Sequence, residues 1–104
     1  MSNYTVETSG AECRIAVCGN FEVGMIAELQ SILRQELEKG AMSIVFDFMQ
    51  TTLLDSSGIG LLIATSNSLA KKNGKVGIIN VPPEIMRVLT SMRLAPRFNA
   101  IGRA

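Results

Sequence analysis

Two short uninterrupted apolar runs, Ile44-Val45-Phe46 and Val76-Gly77-Ile78-Ile79, constrain this chain more than any other feature. Neither alternates with polar residues and neither is long enough for a helix, which is the pattern of a strand buried on both faces. Between them Ile59, Leu62, Ile63, Ser66, Leu69 and Ala70 recur at three- and four-residue intervals, one face of a helix. Ahead of the first run, Met25 to Lys39 carries a stripe of Ile26, Leu29, Ile32, Leu33 and Leu37, and Gly40 ends it. After the second run Val81-Pro82-Pro83 breaks the strand. Pro83 suits the first turn of a third helix, with Ile85, Met86, Leu89 and Met92 on its apolar side. Strand and helix in alternation predict an α/β fold with right-handed crossovers and mainly parallel strands.

The opening differs. Tyr4 to Glu7 alternates weakly, Ser9-Gly10 is a turn signal, and Glu12 to Gly19 reads as a stronger strand, so the chain begins with an antiparallel hairpin. Cys13, Ile15 and Val17 share the core face of that strand, and Glu12 and Arg14 the other. Phe48 to Leu54 reads as a loop. At the far end Pro96 forces an extended exit into a last edge strand from Arg97 to Ala100. With 104 residues the chain makes one domain, large enough to bury roughly two thirds of its unfolded surface.

The loop from the first apolar run leads to a short polar knot, Asp55-Ser56-Ser57-Gly58-Ile59-Gly60, at the mouth of the middle helix. Asp55, Ser56 and Ser57 are all good N-cap types, able to accept from the free N–H groups of the first turn. One of the three is enough. At least one hydroxyl is then left over, on a helix end that tolerates negative charge. Gly58 and Gly60 are poor helix formers, at roughly 1 kcal/mol each against alanine, and their small size lets another backbone or a partner come near. At the other end Lys71 and Lys72 suit the negative end of the dipole, and Gly74 suits a left-handed position after the last turn.

Asp47, then Leu54-Asp55-Ser56-Ser57-Gly58-Ile59-Gly60, then Lys71 to Gly74, resembles the signature of the STAS domain, in particular of the bacterial anti-sigma factor antagonists. The likeness runs from about Tyr4 to Phe98. It implies a small mixed sheet with helices mostly on one side. It also implies that Ser57, directly before the glycine, is phosphorylated by a partner kinase, with Ser56 as the alternative acceptor. Asp55, Gly58, Asp47 and Glu22 would join the two serines in the partner-binding surface. The family pattern has a leucine and an aspartate where Phe21 and Glu22 stand here; the charge is kept and the side chain is longer. The implied partners are an anti-sigma factor that is also a serine kinase, captured by the unphosphorylated protein, and a serine phosphatase that restores it. A non-switching scaffold or accessory subunit of a signalling or lipid-transport assembly is the alternative implied by the same fold.

Other chemistries find little support. An activated serine needs a base within reach, ordinarily histidine, and the chain has none; Lys71 and Lys72 lie about 20 Å down the helix from Ser57. No enzyme activity and no catalytic residue are therefore expected. Two cysteines without histidine fall short of the four ligands zinc usually takes, so no metal is expected. Gly58-Ile59-Gly60 lacks the rest of a nucleotide loop and its lysine, so no cofactor is expected either. A net charge of +1 with scattered basic residues points away from nucleic acid. No apolar stretch approaches the ~20 residues needed to span a bilayer, and no leader pattern opens the chain, so membrane insertion is not expected and a cytoplasmic location is.

Overall fold

The computed structural model describes residues 3–21 and 23–103. The chain opens with β1 (Tyr4–Ser9) and β2 (Glu12–Val17), paired antiparallel through a turn in which Gly10 takes φ +60°. β3 (Gly19–Phe21) and α1 (Val23–Glu38) follow, then β4 (Ser43–Asp47), β5 (Thr51–Leu54) and α2 (Ser56–Ala70). β6 (Lys75–Val81), α3 (Pro83–Ser91) and β7 (Ala100–Gly102) complete it. The main sheet has the order β1-β2-β4-β6-β7, parallel everywhere except between β1 and β2. This is the mixed α/β architecture that the alternation of runs implied.

Period-two alternation decides which face is covered. Cys13, Ile15, Val17, Ile44, Phe46, Val76 and Ile78 are buried and join Leu29 and Leu33 of α1, Leu62 and Leu69 of α2, and Ile85 and Leu89 of α3 in one core. Ala16, Val45, Gly77 and Ile79, on the opposite face, are only half-buried. The two apolar runs are thus covered by helices on one side rather than on both.

Several boundaries move. Phe48 to Leu54 is not all loop: β5 pairs in parallel with β3 as a separate two-stranded sheet. The long second strand read from Glu12 to Gly19 is β2 followed by the start of β3, with Cys18 exposed between them and Cys13 buried; both thiols are free. In α1 the buried residues are Met25, Leu29, Leu33 and Glu36, a stripe rotated from the one expected. After α2 the left-handed position is filled by Asn73, at φ 60°, and not by Gly74. Gly74 is required for another reason: a Cβ there would stand 2.6 Å from Met42 O. The last edge strand begins at Ala100, and Arg97, exposed just ahead of it, donates to Ser66 Oγ and Asn67 Oδ1 on α2. Met92, assigned to the apolar side of α3, is exposed at its C-cap.

Candidate functional site

The site is assembled by the small second sheet. Phe21 pairs with Leu54 and Asn20 with Leu53, and Phe21 O accepts from Asp55 N at 3.3 Å, so β5 is delivered to the start of α2 in a fixed register. Beneath it the Phe21, Phe46 and Phe48 rings cluster with centroids 5.8 to 6.4 Å apart, all fully buried. Edge-on and tilted contacts at this separation suit the ring quadrupoles and give the turn a rigid floor.

On that floor α2 begins. Asp55, in an extended conformation, is the N-cap: its Oδ1 accepts from Gly58 N at 3.0 Å and its carbonyl accepts from Ile59 N at 3.0 Å. Gly58 is buried, and a Cβ on it would lie 2.7 Å from both Leu54 Cδ1 and Phe21 Cδ1 and 2.9 Å from Phe21 O. The close approach it permits is therefore internal. β3 and β5 fill the space into which a Cβ of residue 58 would project.

With Asp55 as cap, both serines are released from that task. Ser56 is exposed and Ser57 half-buried, in the first turn of α2, and among the described residues neither hydroxyl has a hydrogen-bond partner. A helix N-terminus carries about half a positive charge, which favours an added anion there. Two exposed apolar residues that sequence reasoning did not single out lie on or just past the paired strands β3 and β5 in the chain. Leu53, on β5, is 47% exposed, and Val23, two residues past Phe21, is 71% exposed. The Leu53-Leu54 doublet carried the signal, because adjacent residues of a strand point to opposite faces and only one of the two can be in the core. Met49, after β4, is exposed, whereas Met25 is buried.

Asp47 is placed differently. Its Oδ1 accepts from Met49 N at 2.9 Å and from Asn80 Nδ2 at 3.0 Å, holding the turn after β4 to the end of β6, where Asn80 takes φ 56°. No hydrogen bond among the described residues joins it to the seryl turn. Asp47 and Asn80 lie at the carboxyl ends of the parallel strands β4 and β6, where sites gather in sheets of this kind. Glu22, expected to rim the same site, lies outside the described residues.

The perturbed side chains lie elsewhere. Glu36 is buried, accepting from Thr8 Oγ1 at 2.8 Å and from Lys39 Nζ at 3.2 Å. The Thr8 hydroxyl above all, and then Lys39, hold its carboxyl below the usual range against the opposing effect of burial. Burial, with a smaller contribution from the Glu36 charge, pushes the Cys13 thiol up to about 11. Among the described residues no group of three or more His, Cys, Asp and Glu is placed to hold a metal ion, and no helix is long and apolar enough to cross a membrane.

Comparison with known proteins agrees with this architecture. The chain is 25% identical over 88 residues to an anti-sigma-B factor antagonist of Staphylococcus aureus, covering 83% of this chain and 82% of that one. It is 28% identical over 83 residues to a STAS-domain-containing protein of Pseudomonas aeruginosa, covering 77% and 78% respectively. Among solved structures, phosphorylated SpoIIAA, a Bacillus cell-fate determinant, superposes with a TM-score of 0.78 at 20% identity, over 93% of this chain and 89% of that one. A sulfate transporter family protein of Wolinella succinogenes shares the fold with a TM-score of 0.75 at 14% identity, over 88% and 76%. The family model described as "Mlab, STAS domain" matches residues 4–96, nearly the whole chain, and the protein therefore belongs to the STAS family.

Proposed function

We propose that this protein is a phosphorylation-switched binding regulator, an anti-sigma factor antagonist whose unphosphorylated form sequesters a serine-kinase anti-sigma factor. The observation that carries the reading is the division of labour at the start of α2. Asp55 caps the helix, so the hydroxyls of Ser56 and Ser57 remain uncommitted on an accessible turn that follows the exposed Leu53 of β5. Its relatives add support, since a curated antagonist aligns with most of the chain.

Ser57 is the acceptor in this proposal and Ser56, the more exposed of the two, its alternative. Phosphorylation adds about −1.5 to −2 charges at pH 7. The helix end offsets part of this, by about 0.3–1 kcal/mol, so the fold persists. A partner packed on the bare hydroxyl and on Leu53 must then desolvate a dianion, and a penalty of ~3 kcal/mol weakens its binding more than a hundredfold. A serine phosphatase would reverse the state. Asp55 serves as cap and holds the acceptor turn, and Asp47 serves at one remove, through the turn after β4.

The test uses wild type, Ser57→Ala and Ser57→Asp as baits in a pull-down from the native cell extract, with the captured kinase then supplied with ATP and the phosphate mapped by mass spectrometry. Phosphate on Ser57 or Ser56, capture by Ser57→Ala and loss of capture by Ser57→Asp support the switch. Equal capture by all three baits rejects it. That last outcome would favour a second reading, a permanent subunit of a signalling or lipid-transport assembly. The description of the matching family model and the likeness to a sulfate transporter family protein favour this second reading.

A further inference from the structure

A concavity lies beyond the carboxyl ends of the strands, where the turn after β4, the start of α3 and the C-terminal arm meet. It encloses about 620 Å³, within the range of small-molecule sites. Its polar lining is unbalanced. Arg87 and Arg103 face a single lining carboxylate, Glu84, and neither arginine is in an ion pair among the described residues. Asp47, the nearest acid on β4, has its Oδ1 engaged by Met49 N and Asn80 Nδ2.

Arg103 is also fixed in place. Its backbone N donates to Val81 O at 2.9 Å, and one guanidinium nitrogen, Nη2, reaches the carbonyls of Phe48 and Met49, at 3.5 and 2.5 Å. A guanidinium carries five donors in a rigid fork, so anchoring through one nitrogen leaves the others for an acceptor. Arg87, on α3, belongs to the same lining. Met49, Pro83 and Ile85 make the apolar part of the lining, and Gln50 and Thr52 add neutral hydrogen-bonding groups. A partly apolar hollow whose lining holds a fixed fork and a second cation suits a ligand that is anionic at one end and apolar at the other.

We infer that the hollow between the β4–β5 turn and α3 binds a small organic anion, a phosphate or carboxylate on an apolar body, through Arg103 and Arg87. This site is separate from the seryl turn and does not depend on the phosphorylation switch. Thr51 and Thr52 of β5 line it, while Ser56 and Ser57 lie past the other end of that strand.

The test titrates the full chain, labelled with ¹⁵N, with phenyl phosphate, benzoate, inorganic phosphate and benzyl alcohol at millimolar concentrations. Phenyl phosphate or benzoate should shift the amides of Met49 to Thr52, Glu84 to Arg87 and Arg103, and whichever binds tighter identifies the head group. Arg103→Gln and Arg87→Gln should each weaken that binding about tenfold or more, the usual effect of losing a charged hydrogen bond. Arg87 is exposed on its helix, so its variant still reads binding if Arg103→Gln disturbs the arm. No shifts, shifts elsewhere, or wild-type affinity in both variants would overturn the inference. So would benzyl alcohol or inorganic phosphate binding as tightly as the aromatic anions, because charge and apolar body would then not act together.

Discussion

A methyl group on residue 58 would stand 2.7 Å from two side-chain carbons and 2.9 Å from the carbonyl oxygen of Phe21. The Leu54 tip can turn away, but the backbone oxygen cannot, and it is the same oxygen that accepts from Asp55 N. Alanine gains helix propensity, at most about 1 kcal/mol, against an overpacking cost of about 1–3 kcal/mol. Gly58→Ala is therefore expected to lower stability by about 1 to 2 kcal/mol, read from the midpoint of urea unfolding. A rise in the midpoint would mean that β3 is not pressed against α2. The two thiols offer a second check at this scale. Cys18 is exposed, whereas Cys13 is buried, with its pKa raised by that burial to about 11. Because the thiolate is the nucleophile, iodoacetamide at neutral pH should label only Cys18 in the folded protein and both thiols in denaturant, as counted by intact mass.

Between elements, the informative contact is the one the periodicity misplaced. Glu36 lies off the apolar stripe of Ile26, Leu29, Ile32, Leu33 and Leu37, yet it is buried and ties that helix to the edge strand through Thr8. Tyr4 Oη makes a second tie, donating to Glu28 Oε2 at 2.7 Å. A charged residue in a helical window reads as solvent-facing. Only the presence of β1 alongside supplies the hydroxyl that makes burying this one tolerable. Its lowered pKa has a definite sign. The stability it contributes is fully present above its unfolded value near 4.5 and is lost as pH falls through the lower folded value. Glu36→Gln should lower stability at neutral pH and flatten the loss below about pH 4.5, measured as the wild-type-minus-variant difference in unfolding free energy across pH. A difference that stays constant down through the acid range would show that the carboxyl is not held by Thr8 and Lys39. Lys39 is exposed, so solvent screens its side of the pair and its contribution is smaller than that of the Thr8 hydroxyl.

At the scale of the molecule, the docking surface we propose is the corner where the small sheet meets the start of α2. The main sheet buries one face under three helices, while the small β3–β5 sheet leads into the start of α2 and leaves Leu53 uncovered. Leu53→Asp should change stability by no more than about 0.5 kcal/mol, as exposed substitutions usually do. It should weaken capture of the partner by about 2 kcal/mol or more, the effect of removing an interface anchor. Calorimetry with the captured partner, beside urea unfolding of the variant alone, separates the two quantities. Unchanged partner affinity would remove Leu53 from the docking surface.

What the chain's letters determined alone was everything with a short period. The opening hairpin, the two apolar strands, the three helices, the proline start of α3 and the capping set at Asp55 to Ser57 all rest on contacts within a few residues. Tertiary structure decided what depends on distant neighbours. Thr51 to Leu54 became a strand because β3 lay beside it, 30 or so residues back. Asp55 became the cap, leaving both serines free, because Phe21 holds its backbone in position. Gly58 and Gly74 proved indispensable for the space around them, not for their dihedral freedom. Local pattern specifies which face of an element is apolar, whereas the identity of what meets that face belongs to the packed chain.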